Sequence, residues 1–383
     1  MSCPPLLPTL GGVNAPAPVL QQVNRTEVRV RGRTLAYFAG CDYFRLASHP
    51  AVLTALRDGA EQFGLNVAAS RQTTGNHALY ERLEKQLARF FGSERAVLIS
   101  NGYLTNLVVA QALAGEFTHA LVEARAHASL QDAAAMLGCP VVTFAHRDVR
   151  DCARALKQMG KPAKPILLTD GVFAHDGSLA PLAAYAKLLP RSGRLLVDDA
   201  HGAGVLGRRG RGAVELAGLG CERVIQTVTL SKAFGVYGGA VLASRDVCER
   251  IIERSRIFTG NTPLPLPLAN AALASLAVFQ RDQLMRARLA RNIQQVKAAL
   301  RAAGLAMDDS PSPIIAVTPH AAGHARRLRC ALLAVGIFPS FIRYPGGPAS
   351  GYFRFALSSE HTLVQLHALT KVLSYFGRHV EVH

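Results

Sequence analysis

Short runs of apolar residues alternate with helical patterns between about residues 46 and 275. Each run is five residues long and is bounded by polar residues, glycine or proline, as buried strands commonly are. The runs lie at 96–100, 140–144, 165–169, 194–198, 224–228 and 239–243. Continuous apolar strands separated by helices are typical of a parallel sheet that helices cover on both faces. The pattern therefore predicts an α/β fold built on a mostly parallel sheet.

The segments on either side of this region have different patterns. Residues 1–45 contain an irregular arm and two short strand-like pieces, whereas residues 268–303 have helical spacing throughout. The last part of the chain contains strand-like pieces and a closing helix, at 313–317, 338–342, 352–357 and 361–376. We therefore expect an N-terminal arm over 1–45, a large domain over 46–275 and a small α/β domain over 276–383.

Composition narrows the possible partners. The 383 residues are 49% hydrophobic and 18% charged, which is enough apolar material for a large buried core. The formal net charge of +17 suits an anionic ligand, either a phosphate-bearing cofactor or an acidic carrier protein. Nucleic-acid binding normally needs basic residues clustered in a stripe or a recognisable module, but these arginines are scattered. We expect no nucleic-acid partner.

The sequence gives no sign of membrane association or of metal binding. The longest apolar stretch, 264–279, contains two prolines and is too short to span a bilayer, and residues 1–18 lack the basic start of a signal peptide. We therefore expect a cytoplasmic protein without a membrane partner. The seven cysteines include no CxxC pair, so we expect no metal site.

Lys232 follows the apolar run at 224–228 and precedes small, apolar residues. Ligands of open α/β sheets bind beyond the carboxyl ends of the strands, which is where this lysine falls. Burial of a lysine favours its neutral amine and hence a Schiff base with an aldehyde. Thr229 would offer a hydroxyl to a phosphate at the same strand end. The alternative is a solvated surface lysine.

Other candidate residues occupy similar positions in the sequence. Asp198 and His201 follow the run at 194–198, where a carboxylate can hold a protonated pyridine nitrogen or simply cap a helix. Gly102 opens a helical pattern after the run at 96–100, and such a turn offers backbone N–H groups to a phosphate. His127 stands beside small residues and can lie flat on an aromatic ring, or be an ordinary core histidine.

The order of these motifs resembles that of the α-oxoamine synthases, a family of fold-type I pyridoxal-phosphate enzymes. The motifs are HASL at 127–130, DDAHGAG at 198–204, TLSKAFG at 229–235 and YFRFALS at 352–358. The resemblance runs from about residue 26 to the C-terminus. It implies a mostly parallel seven-stranded sheet with helices on both faces and a smaller C-terminal α/β domain.

The resemblance also implies roles at the ring of the cofactor, pyridoxal 5'-phosphate. Lys232 would carry the cofactor as a Schiff base and later move protons at the α-carbon of the substrate. Asp198 would pair with the pyridine nitrogen, and His201 would hydrogen-bond the phenolic oxygen. His127 would stack on the ring.

A second group of residues is implied for the cofactor phosphate. The turn at Gly102 and Tyr103, together with Thr229, would bind it within one subunit. The family's active site lies at a homodimer interface, so Thr259 or Thr262 would reach the phosphate of the neighbouring subunit. The sequence does not distinguish between these two threonines.

The implied reaction is decarboxylative condensation of an amino acid with an acyl thioester, carried by coenzyme A or an acyl carrier protein, to give an α-oxoamine. The motifs at 75–79 resemble most closely the branch that condenses alanine with a pimeloyl thioester. Glycine or serine with another acyl donor remains an alternative, as does a non-catalytic partner subunit.

The residues expected to contact the substrate depart from the family pattern. Arg354 would clamp the amino-acid carboxylate, since a guanidinium fork suits bidentate pairing. Cys41 would lie near the same carboxylate, at a position where the family usually has asparagine. Asp170 and Ala174 replace a usual glutamate and a common serine. We therefore expect a conserved type of cofactor site with an altered substrate site.

Overall fold

The structure, a computed structural model, describes residues 18–160, 162–343 and 347–382. Residues 1–17 of the expected N-terminal arm lie outside the described residues. The described chain separates into two compact units. The large unit comprises residues 46–173 and 179–282, and the small unit comprises residues 18–45, 174–178 and 283–382, without the residues just excluded. The three-part division drawn from the sequence stays a prediction.

The strands and helices are numbered along the chain. The strands are β1 (Gln21–Gln22), β2 (Glu27–Val30), β3 (Arg33–Ala36), β4 (Arg95–Ile99), β5 (His119–Glu123), β6 (Val141–Phe144), β7 (Pro165–Asp170), β8 (Arg194–Asp198), β9 (Val224–Thr229), β10 (Gly239–Ala243), β11 (Ile314–Pro319), β12 (Phe341–Ile342), β13 (Tyr352–Ala356) and β14 (Val380–Val382). The α-helices are α1 (Pro50–Phe63), α2 (Ala78–Phe91), α3 (Gly102–Ala112), α4 (Ala128–Met136), α5 (Val149–Gln158), α6 (Leu182–Leu188), α7 (Ala213–Leu216), α8 (Arg245–Arg254), α9 (Arg256–Gly260), α10 (Leu266–Arg281), α11 (Gln283–Ala302), α12 (Ala322–Ala334) and α13 (Leu363–Tyr375). Two short 3-10 helices lie at Leu46–Ser48 and Gly377–His379.

The large unit is built on a seven-stranded sheet in the order β4-β10-β9-β8-β7-β5-β6. The pairs β5–β6, β5–β7, β7–β8 and β8–β9 are parallel, and β10 is antiparallel to both of its neighbours. This confirms the predicted α/β fold with a mostly parallel sheet. The sequence reading was wrong about β5, which it did not include, because only three apolar residues stand between the polar ends His119 and Glu123.

Apart from the edge strand β6, the strands of the sheet are buried on both faces, and neighbouring residues point to opposite sides. Val122 and Leu168 belong to a core cluster with side chains of α3, α4 and α8. Leu121 and Leu167 belong to a second cluster with side chains of α5, α6 and α7. Helices therefore cover both faces, and the strand ends are left as the place where polar groups can meet.

The small unit contains two antiparallel sheets, β1-β2-β3 and β12-β13-β11-β14, with α11, α12 and α13. The helical stretch predicted over 268–303 is two helices rather than one, because α10 ends before Asp282 and α11 begins after it. The strand predicted over 338–342 is reduced to the two residues of β12. Within the described ranges, no helix is both long enough and apolar enough to cross a membrane.

Candidate active site

Two buried carboxylates end neighbouring strands of the large unit. Asp170 is the last residue of β7, Asp198 is the last residue of β8, and the parallel register places them side by side. They are 4% and 7% exposed, respectively. Burial raises the pKa of Asp170 well above its usual range, and the adjacent Asp198 raises it further. This edge of the sheet therefore favours one ionised carboxylate rather than two.

The Asp198 carboxylate is held by a hydrogen-bond network that the sequence reading missed. Asn106, fully buried on α3, donates from Nδ2 to Asp198 Oδ2 at 2.7 Å and to Ser129 Oγ at 2.9 Å. Its Oδ1 accepts from Thr227 Oγ1 at 2.7 Å, and Ala200 N donates to Asp198 Oδ1 at 3.1 Å. An amide beside apolar residues in the helical pattern of 104–113 was the available signal, because a buried amide needs partners.

His127 caps α4 and is hydrogen-bonded to the Asp170 carboxylate. Its backbone N donates to Asp170 Oδ2 at 2.8 Å, and its Nδ1 lies 2.7 Å from Ser129 Oγ. Burial lowers the pKa of the imidazole; Asp198 raises it and Lys232 lowers it to a smaller extent. The Tyr103 ring meets the imidazole edge-on, with the two centroids 5.9 Å apart. The hydrogen bonds therefore fix the position of the His127 imidazole, and its lowered pKa keeps the imidazole mainly neutral.

Lys232 lies in the loop after β9, and its Nζ is 2.8 Å from His201 Nε2. His201 is buried, whereas Lys232 is half-buried. The loop is closed by a bond from Gly235 N to Lys232 O at 3.1 Å. Gly235 has a φ of +63°, and a Cβ there would lie 2.2 Å from Ala47 N, so only glycine fits this position. The loop therefore fixes the lysine backbone near the buried histidine.

The first residue of α3 lies directly against the end of β9. A Cβ on Gly102 would lie 2.8 Å from Thr229 Cβ, so the glycine allows this close approach. Asn101 caps α3 by accepting from Leu104 N at 3.0 Å, and the other backbone N–H groups of a helix's first turn are not bonded within the helix. Tyr103 is 42% exposed and its hydroxyl donates to Asp132. A helix start of this kind fits a phosphate.

These donors and charges fit pyridoxal phosphate. An amine that can bond an aldehyde, a buried carboxylate for a pyridine nitrogen, a neutral imidazole and a helix start for a phosphate all belong to the large unit. Among the described residues, no cluster of three or more histidine, cysteine or acidic side chains could hold a metal ion.

Replacing Gly102 by alanine is expected to weaken cofactor binding about tenfold, because the added methyl must displace Thr229, and overpacking of this kind costs about 1–3 kcal/mol. The dissociation constant of pyridoxal phosphate, followed by its absorbance, is the measurement. Gly220→Ala is the matched control, since nothing lies within 4 Å of a Cβ there. Equal cofactor affinity in the two variants would contradict the phosphate site at α3.

The two threonines proposed for a neighbouring phosphate differ in their surroundings. The Thr259 hydroxyl, on α9, donates to Ser255 O at 3.0 Å, and Thr259 O accepts from Ser70 Oγ at 2.6 Å. Thr262 lies after α9 and is exposed. Thr259 is thus already committed to its own helix, whereas the Thr262 side chain faces solvent. The role of either threonine stays a prediction.

Asp199 follows Asp198, the residue proposed to bind the cofactor, but its side chain has different hydrogen-bond partners. It is fully buried, and Gln226 Nε2 donates to its Oδ2 at 2.7 Å. Three glycines approach its carboxylate so closely that a Cβ would lie within 2.0–2.7 Å of an oxygen, at Gly171, Gly202 and Gly212. Burial raises the pKa of Asp199 to about 7, although the Gln226 hydrogen bond lowers it. The second acid of the motif therefore organises the glycine turn.

The raised pKa of Asp199 predicts a loss of stability as pH rises. The folded state holds this proton more tightly than the unfolded state, so its contribution is complete below the unfolded pKa of about 3.9 and disappears toward the folded pKa of about 7. Between pH 5 and 8, the wild type should lose about 2–3 kcal/mol relative to Asp199→Asn. Urea unfolding of both proteins at the two pH values measures this difference. Parallel pH profiles would contradict the assignment.

Arg354 and Cys41 lie together in the small unit. Arg354, in the middle of β13, donates from Nη2 to Cys41 Sγ at 3.4 Å. Its Nε is buried without a hydrogen-bond partner. Burial lowers the pKa of the guanidinium, but Cys41 and Tyr43 raise it, and the net change is upward. The structure thus pairs the two residues that the sequence proposed for the substrate carboxylate.

The chain is similar to known proteins along most of its length. The aminotransferase class I and II family model matches residues 41–373. An 8-amino-7-oxononanoate synthase of Thioalkalivibrio sulfidiphilus is 37% identical over 358 residues, which cover 93% of this chain and 91% of that protein. The chain belongs to the α-oxoamine synthase family. A second 8-amino-7-oxononanoate synthase, from Nitrosococcus oceani, is 36% identical and covers 93% of this chain and 95% of its own length.

Solved structures support membership of the α-oxoamine synthase family. A serine palmitoyltransferase from S. paucimobilis, solved with PLP and myriocin bound, has a TM-score of 0.88 and 28% identity over 94% of this chain and 92% of its own. An 8-amino-7-oxononanoate synthase from Francisella tularensis has a TM-score of 0.76 and 28% identity over 89% and 97%. The chain is therefore a pyridoxal-phosphate-dependent acyltransferase of fold type I, as its motifs predicted.

Proposed function

We propose that the chain condenses L-alanine with a pimeloyl thioester to give 8-amino-7-oxononanoate, carbon dioxide and the released thiol, a step of biotin biosynthesis. The observation that carries the chemistry is the meeting of Lys232, His201, His127 and Asp198 at one edge of the large unit's sheet. The choice of substrates is supported by relatives named 8-amino-7-oxononanoate synthase that match 93% of the chain.

Pyridoxal phosphate, when bound, withdraws electrons from the α-carbon of the attached amino acid. Lys232 would hold the cofactor and then remove and return the proton at that α-carbon. The Lys232 amine lies 2.8 Å from His201 Nε2, so the histidine can keep it oriented and exchange a proton with it.

Asp198 would hold the proton of the pyridine nitrogen. Asn106 and the backbone at Ala200 fix its two oxygens, so the carboxylate does not need to reorganise during the reaction. His127, held by Asp170 and Ser129, would present the face of a neutral ring to the cofactor. The ring would therefore be bound without a competing positive charge.

The phosphate would bind at the start of α3, where Gly102 and Tyr103 present backbone N–H groups beside Thr229. The Thr229 hydroxyl donates to Gly238 O and accepts from Ser231 N, both at 3.2 Å, so it mainly shapes this turn. Arg354 would bind the carboxylate of the amino acid through its guanidinium fork, with Cys41 beside it.

The homodimer with shared active sites, and Thr259 or Thr262 reaching a neighbouring phosphate, are part of the same proposal. They are supported by the family resemblance, as is the cytoplasmic location. The acyl donor is coenzyme A or an acyl carrier protein, and the net charge of +17 suits both polyanions.

The deciding experiment combines alanine, glycine or serine with pimeloyl-CoA, acetyl-CoA or palmitoyl-CoA and identifies the product by mass. We expect the product mass of 8-amino-7-oxononanoate with alanine and pimeloyl-CoA. The serine palmitoyltransferase neighbours make serine with palmitoyl-CoA the second candidate, and a product from that pair alone would contradict the proposal. Absence of both cofactor uptake and any product would instead favour a non-catalytic partner subunit.

A further inference from the structure

Two hydrogen-bond donors converge on the sulfur of Cys41. Arg354 Nη2 donates to Sγ at 3.4 Å, and the Tyr43 side chain is also hydrogen-bonded to Cys41. Burial, together with the charge and hydrogen bond of Cys41, raises the pKa of Tyr43 well above its usual range, so the hydroxyl keeps its proton and donates. A guanidinium can only donate hydrogen bonds, and the sulfur of a neutral thiol is a weak acceptor. The geometry therefore suits a thiolate.

Arg354 needs an anion in this position. Its Nε atom is buried without a hydrogen-bond partner, and a buried cation is costly unless it is paired. Among the described residues, Cys41 supplies the one side-chain acceptor that Arg354 contacts. Burial lowers the pKa of the guanidinium, but the interaction with Cys41 opposes this and the net change is upward, so Arg354 keeps its charge.

Two cationic side chains interact electrostatically with Cys41. The groups coupled to Cys41 include Tyr37, Tyr43, Arg45 and Arg354. Both tyrosines have pKa values raised first by burial and are therefore neutral. The charge of Cys41 raises the pKa of both guanidinium groups, and by the same interaction the two cations favour the thiolate of Cys41.

We propose that Cys41 is the internal counter-anion of Arg354: its thiolate occupies the guanidinium until the carboxylate of the amino acid displaces it. The displaced sulfur takes up one proton from solvent, so the site never holds two negative charges. The inference rests on the proposed function, which assigns the substrate carboxylate to Arg354. The asparagine usual in the family cannot act in this way, because its amide does not ionise.

The test is alkylation of the cofactor-loaded protein by iodoacetamide, followed for each cysteine by peptide mass spectrometry. Cys221 is the internal reference, since it has the same intermediate exposure as Cys41. Because the thiolate is the reactive form, Arg354→Gln and Tyr43→Phe should each slow alkylation of Cys41 by about tenfold. Propionate, a carboxylate without an amine, should slow it similarly in the wild type. Propionamide, its neutral analogue, should have no effect.

Two results would overturn the proposal. One is alkylation of Cys41 at the rate of Cys221 and at the same rate in both variants. The other is fast alkylation that propionate does not slow, which needs no variant and so does not depend on how Arg354→Gln folds. Product assays on the same preparation separate the two proposals. Propionate protection without 8-amino-7-oxononanoate formation would contradict the proposed function and support the counter-anion.

Discussion

Lys232→Ala is expected to lower the turnover number for 8-amino-7-oxononanoate by at least about 10³-fold, the range of a lost acid–base group combined with lost attachment. The reason is the position of Lys232, because its amine, in the loop after β9, lies 2.8 Å from Nε2 of the buried His201. Borohydride reduction followed by peptide mass spectrometry should fix the cofactor to the peptide containing residue 232 in the wild type. The same treatment should leave the variant unlabelled.

Lys157→Ala is the matched control for this lysine. Lys157 lies on α5 of the same unit and is exposed, so its removal should leave both turnover and labelling at the wild-type level. Turnover of Lys232→Ala within a factor of ten of the wild type, or borohydride labelling at another lysine, would rule out the assigned role.

Asp198→Asn is expected to slow exchange of the alanine α-proton with solvent by about 10²–10³-fold, the effect of losing one preorganised electrostatic group. Asparagine has nearly the same shape, and Asn106, which is itself held by Thr227, remains to hydrogen-bond it, so the fold should persist. Exchange in heavy water without any thioester is the measurement, because it reports on the ring chemistry alone. The cofactor should still attach to Lys232.

Asp199→Asn provides the same substitution one residue away. Asp199 accepts from Gln226 and is crowded by glycines, so its replacement should change stability with pH and leave the exchange rate at neutral pH unaltered. If the two variants slow exchange equally, the separation of roles between the neighbouring acids is wrong.

Hydrophobic periodicity and the glycine, proline and polar residues between apolar runs were sufficient to predict most strands of the large unit. Six of its strands follow from mostly apolar runs of five residues, and all of these except the edge strand β6 are buried on both faces, which favours apolar residues throughout. β5 was missed because its buried centre is only three residues long and is closed by Glu123. That glutamate is fully buried and accepts from Arg125 N and His146 Nδ1, each at 2.7 Å. Such partners lie outside the reach of a local pattern.

Part of the candidate site follows from motif order along the chain. Motif order proposed Lys232, Asp198, His201 and His127 as site residues, and the structure brings them to one edge of the sheet. Motif order did not identify Asn106, because its role depends on hydrogen bonds from α3 to residues of β8 and β9. Motif order also did not distinguish the role of Asp198 from that of Asp199, since both are acids in one motif and only their hydrogen-bond partners differ.

The sequence by itself determined the family, the cofactor and the alternation of strands and helices, because these depend on residue type and order along the chain. Only the tertiary structure decided which groups share a proton or a charge. The pairing of Cys41 with Arg354 joins residues 313 positions apart, and no local rule connects them. Charge and hydrogen-bond partnerships are set by distances of a few ångströms in space, so they are decided when the chain is packed.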